Sequence, residues 1–553
     1  MKGYIGPRIS LVLLGCAVGF ALGAGRARAD FTFGTPKNLG PNVNSTVEDG
    51  GPCVSKDGLS LYLYSFLDGF GVSTVRMAMR ESVEEPWQQA VSVGPSPISA
   101  GTALCLSADE LSIFYDSFQP GGFGQADIWV ATRESLSHPW SPSVNLGPKV
   151  NSWSTDMGAS ISADGLELYF GSDRPGGSGD WDVWVTTRET VSDPWGEAVN
   201  LGPAINSPVY DGHPCISPDG LMLFISSDRS GGYGDWDIWV AKRATKNDAW
   251  GRPVNLGPPL NTSAGEAEPY LSADGRTLYF SDWWIPRPGG IGRNDLWQAP
   301  ILPVVDFNGD GQVNGRDVVI MTQCWGQDDP VCDIGPTPFG DGIVDEKDLF
   351  ALAEYLEEAV VDPTLVAHWA MDETEGITAH DGAGGNDGTI MGLPLWQPAA
   401  GAIDGALELN GMAFLTADSV LSPAGGPFSV VAWVNGGAPG QVIVSQGGGA
   451  NWLMADAAEG TLTTELTKPG RAGGPLLSQA VITDGNWHRV AVTWDGENRK
   501  LYVDGVLAAE DTQDSLADCT GRLIIGAANN LVPGTFFTGL IDDVRIYRRA
   551  VKP

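Results

Sequence analysis

The sequence predicts a mostly β protein in three parts: a five-bladed β-propeller, a small α-helical module and a C-terminal antiparallel β-sandwich. Three observations predict it. A phrase with Ser and Asp at fixed places recurs about every 55 residues through the first half of the 553-residue chain, the mark of a copied and stacked unit. One twelve-residue stretch then spaces oxygen-bearing side chains around a glycine, and the last third alternates apolar and polar residues between Gly and Asp turns.

The phrase reads Val54-Ser-Lys-Asp-Gly58, Leu106-Ser-Ala-Asp-Glu110, Ile161-Ser-Ala-Asp-Gly165, Ile216-Ser-Pro-Asp-Gly220 and Leu271-Ser-Ala-Asp-Gly275. Behind it come an apolar run such as Leu166-Glu-Leu-Tyr-Phe170, a turn such as Pro175-Gly-Gly-Ser-Gly179, a third run, Asp182-Val-Trp-Val185, and a fourth, Trp195-Gly-Glu-Ala-Val-Asn-Leu-Gly202. Four short β-rich runs per unit describe a propeller blade; a β-solenoid, the competing repeat, usually has shorter units. The fifth unit lacks its fourth run, while Phe33-Gly-Thr-Pro-Lys-Asn-Leu-Gly40 carries that pattern with Phe33 in place of Trp140, Trp195 and Trp250. The N-terminal segment is therefore expected to close the last of five blades and cover its open edge.

The signature Ser-x-Asp-Gly-x-x-Leu-Tyr-Phe, with Ser172-Asp-Arg-Pro-Gly-Gly and Asp182-Val-Trp184, resembles the WD-like propeller repeats of the TolB type over residues 31–300. The resemblance implies binding of proteins or envelope polymers, and in some members attachment to a hydrolase domain.

Residues Asp306-Phe-Asn-Gly-Asp-Gly-Gln-Val-Asn-Gly-Arg-Asp317 place oxygen ligands at positions 1, 3, 5, 9 and 12, with Gly311 at the sharp turn. This is EF-hand spacing, and hard oxygen donors around one point select Ca²⁺. Asp306, Asn308, Asp310, Asn314 and Asp317 are the candidate side-chain ligands and Gln312 a carbonyl ligand. A helical pattern follows at Val318, and a second acidic loop from Asp333 to Asp348 precedes another. Two loop-helix units in 303–361 resemble a type I dockerin, which implies a cohesin-type partner. The second loop departs from the pattern. If residues 336–339 are an insertion, Asp333, Asp341, Asp345, Asp348 and the carbonyl of Ile343 hold a second Ca²⁺. Docking and a calcium-stiffened spacer are both open readings.

From 362 onward come Phe428–Val434, Trp487–Trp494, Lys500–Gly505, Arg522–Gly526 and Gly539–Tyr547, short strands of an antiparallel sandwich. These phrases, opened by Trp369-Ala-Met-Asp372, resemble the laminin-G-like, concanavalin A-like jelly roll, which implies recognition of glycans or proteins, often near a rim calcium. Asp381, Asn386 and Asp542 are candidates there, against the simpler reading of turn residues.

Lys2 and Arg8 precede an apolar stretch, Ile9 to Leu22, and Ala27-Arg-Ala29 is a small-x-small cleavage site, so residues 1–29 read as an export signal. Leu13-Leu-Gly-Cys16 leaves lipidation as an alternative. The expected location is secreted or cell-surface, with periplasm open, and no later segment is long enough to span a membrane. The formal charge is −36, and the signal removes four more cations. Such a field disfavours nucleic acid and anionic lipid and attracts divalent cations. Cys53, Cys105 and Cys215 fall at one position of three blades and read as buried thiols. Cys324 and Cys332 bracket a short turn in an exported protein and are expected to form a disulfide. Cys519 has no obvious partner.

Acidic residues abound, yet Asp57, Asp109, Asp164, Asp219 and Asp274 recur in every blade, as do Asp127, Asp182, Asp237 and Asp295 in four of them. A residue needed once for catalysis does not appear five times; turn capping explains them. Histidines 138, 213, 368, 380 and 488 lack metal-ligand spacing, and no catalytic residue is assigned. Arg76, His213 and Trp283-Trp-Ile-Pro-Arg287 are single-copy departures that either line a ligand site or reflect blade drift. The expectation is an exported non-catalytic binding protein for glycan or cell-surface protein; the alternative is a glycoside hydrolase-associated component with a site in the propeller funnel. Non-repeated carboxylates converging on the propeller mouth would favour the second.

Overall fold

The computed structural model describes residues 31–66, 73–93, 101, 103–329, 331–357, 362, 364–471 and 473–553; the expected signal, with Cys16, lies outside them. The chain is mostly β, with two short α-helices among the described residues. No helix there is long and apolar enough to cross a membrane.

Five antiparallel sheets form the propeller, each running from an inner strand at the axis outward, as in Asp156–Ile161, Glu167–Ser172, Asp182–Thr187 and Val199–Asn200 of blade 3. The fifth sheet is completed from the other end of the ring: Phe31–Phe33 pairs with Ile301–Pro303, and Lys37–Asn38 with Trp297–Gln298. Asn38 there donates to Asp295 at 3.0 Å, as Asn145 does to Asp127 and Asn200 to Asp182 at 3.0 and 3.1 Å. The N-terminal segment thus reproduces the fourth-strand contacts of an ordinary blade.

Two repeated devices hold the ring. Around the axis, Cys53, Cys105, Ser160 and Cys215 each accept a backbone hydrogen bond from the next blade, at Leu106, Ile161, Ile216 and Leu271. Tyr270, too large for that role, closes the circle by donating to the Val54 carbonyl at 2.9 Å. The three cysteines are free, buried thiols, as expected from their equivalent positions. The second device is a buried ion pair: Asp156 with Arg174 at 2.5 Å, Asp211 with Arg229, and Glu266 with Arg287 at 2.7 Å, each arginine also reaching a carbonyl of the preceding loop.

In blade 1 the guanidinium comes from Arg76, in the strand position held elsewhere by Trp, and meets Asp49 at 3.2 Å. Arg76 and Arg287 are therefore structural, and the ligand-site reading fails for both. Blade 2 has Gly101 and Gln119 at the two places, so it has lost acid and base together, as expected when either alone would be a buried unpaired charge.

The sandwich stacks two eight-stranded sheets, one centred on Phe428–Gly436 and Thr538–Tyr547, the other on Val442–Gln446 and Leu523–Ile525. Their inner faces bury Trp369, Leu415, Val430, Trp452, Val492 and Ile541.

Candidate functional site

The inner strand of four blades carries a β-bulge, with register shifts at Gly50/Cys53, Met157/Ser160, Gly212/Cys215 and Ala267/Tyr270. At the bulge the backbone turns to positive φ. Gly51 and Gly158 take it without strain, at 59° and 66°, but blades 4 and 5 put His213 and Glu268 there, at 46° and 54°. Side chains held in this region cost about 1–3 kcal/mol and cluster at functional sites. Both face the axis and lie 3.7 Å apart, His213 Nδ1 to Glu268 Oε1.

A second column of the repeat supplies their surroundings: Tyr64, Asp116, Gly171, Ser226 and Ser281, the fifth residue of each second strand. Tyr64 donates its hydroxyl to Glu268 Oε1 at 3.1 Å, Ser281 and the Gly51 amide donate to Oε2 at 2.7 Å, and Glu268 N donates to Ser226. His213 Nδ1 has no hydrogen-bond partner. Burial lifts the Glu268 carboxyl to about 7 and lowers His213 to about 4. Glu268 and Asp116 are non-repeated carboxylates that share the axis, yet the cavity between the inner strands measures only about 30 Å³.

The Glu268 carboxyl carries a pH signature. Its folded value is raised from 4.5 to about 7, so the stabilising contribution is complete below 4.5 and is lost as pH rises to 7. We expect wild type to lose, between those limits, about 3 kcal/mol more than Glu268→Gln does, read from denaturant midpoints across that range. Parallel curves for the two proteins would refute the buried-carboxyl assignment.

Above this well stands an aromatic wall. Trp181 and Tyr210 have ring centroids 5.6 Å apart, Tyr210 and Trp236 4.1 Å, and Trp236 and Trp283 6.3 Å; His213 lies 6.2 Å from Tyr210 and 6.0 Å from Trp283. All four rings are partly buried. The repeated acids are elsewhere occupied: Asp164 accepts from Ser162 and Leu166 N, Asp182 from Ser178 N, as turn residues do.

The two acidic loops of the helical module fold alike. Asp306 accepts from the amides of Gly309 and Gly311 at 2.8 Å, and Asp333 from Asp341 and Gly342 at 2.9 and 2.6 Å. Asp317 accepts from Phe307 and Asn314, and Asp348 likewise from Ile334 and Asp345. Asn314 and Asp345 cap the helices Gly315–Gln323 and Glu346–Ala353 in matching capping boxes. The carboxyls of Asp306 and Asp317 are raised, and Asp333 to about 6, by burial. Asp310 bonds Asn308 and the Gln312 amide; Gln312 and the half-exposed Ile343 stand at equivalent places. With residues 336–339 set aside, Asp333 takes the amides of Asp341 and Gly342 as Asp306 takes those of Asp310 and Gly311.

Among the described residues, the only three His, Cys, Asp or Glu side chains with ligand atoms within 4.8 Å of one another are Cys324, Asp329 and Cys332, outside both loops. That cluster already holds a cation, Lys552, 2.7 Å from Asp329 and 3.2 Å from Cys324. The expected disulfide is absent: both cysteines are thiols, their sulfurs 3.2 Å apart. In the sandwich, Asp381 takes the amides of His368, Ala383 and Asn386, a turn role, while Asp542 bonds Ile403.

Both faces of the module are occupied by the chain itself. The Gly309 carbonyl of the first loop receives Tyr547 OH at 2.7 Å and Arg545 at 3.2 Å, the Asn308 carbonyl Arg489 at 3.1 Å, and the Asp306 carbonyl Arg549 at 2.5 Å. The inserted Phe339 of the second loop packs on Phe31 at 5.0 Å and joins the blade 4–5 core, and Arg276 reaches the Pro336 carbonyl. Nothing in the spacing of residues 489–549 announced these contacts.

Residues 410–553 match the family model of the concanavalin A-like lectin/glucanases superfamily. No curated protein matches by sequence. Similar solved structures include the sialidase of Trypanosoma rangeli in complex with the inhibitor DANA, with 13% identity, TM-score 0.44 and coverage of 92% of this chain and 93% of that one. Domain 4 of AbnA, a GH43 extracellular arabinanase of Geobacillus stearothermophilus, in complex with arabinotriose, has 24% identity and TM-score 0.24, covering 34% and 94%. TolB of Acinetobacter baumannii has 14% identity and TM-score 0.30, covering 47% and 56%.

Proposed function

We propose that the protein is an exported, non-catalytic binding protein in which propeller and sandwich recognise glycan and the paired loops, each holding Ca²⁺, form a rigid joint between them. The observation that carries the non-catalytic reading is the narrowness of the space beside His213 and Glu268. The buried carboxyl there has the raised value useful to a general acid, but a 30 Å³ cavity admits a water or two and no sugar ring. The joint reading of the dockerin-like module, in preference to docking on a cohesin, is supported by the contacts that bury its first loop on the sandwich and its second on the propeller.

Glu268 is also what favours the hydrolase alternative, since Tyr64 and Asp116 share its well. Both readings meet one experiment: full-length protein in Ca²⁺ is incubated with plant and microbial polysaccharides, and released reducing ends are counted. We expect none. Release that disappears in Glu268→Gln would make the funnel an active site and overturn the binding reading.

A further inference from the structure

We propose that the aromatic wall at the propeller mouth is a binding site for a polysaccharide chain without negative charge, neutral or amine-bearing, lying across blades 3 to 5. This rests on the binding reading above and adds its ligand class. The repeat does not require these rings. Trp181 and Trp236 occupy a column that holds Ala126 in blade 2 and Asn294 in blade 5, and Tyr210 a column of Glu48, Thr155 and Gly265. The backbone role of the first column is met whatever the side chain: the carbonyls of Ala126, Trp181, Trp236 and Asn294 all accept the amide that opens the next inner strand, at 2.8 to 3.0 Å. Folding therefore leaves the choice of side chain open, and blades 3 and 4 fill it with large rings that keep part of their surface in solvent.

The rings make a continuous surface. Centroid steps of 5.6, 4.1 and 6.3 Å leave no gap for a ligand between Tyr210 and Trp236, so a sugar would stack on the outer faces and edges of the cluster and not between its rings. Tyr210 and Trp236 lie against one another, tilted by 45°, and Trp181 and Trp283 flank that pair. The positively polarised C–H face of a pyranose stacks on aromatic faces left open to solvent. Trp153 and Trp284, 72% and 74% exposed, stand on loops of the same propeller face and widen it.

Charge selects among polysaccharides. Exposed Asp173, Asp180, Asp228 and Asp235 flank the wall on the same loops, and Arg174, Arg229 and Arg287 are committed to buried ion pairs. Uronate or sulfate groups would meet these carboxylates; hydroxyls accept them and amines gain from them.

The test uses the full chain in Ca²⁺, with affinity electrophoresis and calorimetry against a neutral glucomannan, chitosan oligosaccharides and polygalacturonate. Wild type should bind the first two and not the third. Trp181→Ala/Trp236→Ala should weaken that binding at least tenfold at an unchanged melting temperature, Trp236→Phe should retain most of it, and Trp325→Ala, an exposed ring of the helical module, should change nothing. If the double variant loses its melting transition, quenching of wild-type tryptophan fluorescence by the oligosaccharide decides instead. Undiminished binding in the double variant, or no quenching, overturns the wall site while the binding reading stands on the sandwich. Equal binding of polygalacturonate overturns the charge selection. No binding to any of the three overturns both.

Discussion

Removing residues 30–41 should abolish the cooperative unfolding of the propeller. The segment supplies both outer strands of blade 5, and with them the bonds Gly34 N to Pro300 O at 2.9 Å, Leu39 N to Leu296 O at 3.0 Å and Asn38 to Asp295. Phe33, 3% exposed, sits in the core of blades 4 and 5. Burying one such ring is worth about 1.5–3 kcal/mol and each hydrogen bond about 1 kcal/mol net. Together with the open edge left on Leu296–Pro303, the loss approaches the roughly 5–15 kcal/mol that holds a whole domain. Calorimetry of the truncated chain should lack the propeller transition; a transition at the wild-type temperature would show that the ring closes without its N-terminal strands.

On the proposed calcium reading, chelation should act beyond the two acidic loops. Asp306, Asp310 and Asp317 are three acids around one turn, and with Ca²⁺ at a thousandfold its dissociation constant the linked stabilisation is about 4 kcal/mol. Because the sandwich holds the Asp306, Asn308 and Gly309 carbonyls through Arg549, Arg489, Arg545 and Tyr547, loosening the first loop releases that face as well. Hydrogen exchange should therefore quicken in Gly315–Gln323 and, with it, in Thr538–Tyr547 when chelator is added. Asp310→Ala should show the same in Ca²⁺. Identical exchange with and without chelator would remove calcium from the account of this protein.

The ring count and its closure were legible because they are properties of the repeat: five phrases, four complete units and one stray strand pattern at Phe33–Gly40. The turn acids were legible for the same reason. The well was harder, although its signal stood in the sequence: laid in register, the column reads Gly51, Ala103, Gly158, His213, Glu268, and an acid where glycine belongs is conspicuous only once the column is known to have positive φ in every blade but the second. His213 stands out in the sequence and Glu268 does not, because acids are common in this chain and histidines rare. Arg76 and Arg287 misled for the opposite reason. They looked unique in their own segments, while the carboxylates they serve, Asp49 and Glu266, are repeat positions. The contacts of Arg489, Arg545, Tyr547 and Arg549 left no pattern at all, since alternation along a strand tells which residues point outward and not what stands there.

Those last contacts tie together residues some 240 positions apart, Asp306 with Arg549 and Gly309 with Tyr547. During synthesis the first acidic loop emerges long before residues 545–552, which complete its surroundings. The loop must wait for them in a half-supported state. A chain ending just upstream of Arg545 would keep every acid of the loop and lose both these contacts and the end of the strand Thr538–Tyr547, so that damage at the distal end would reach a loop in the middle of the chain.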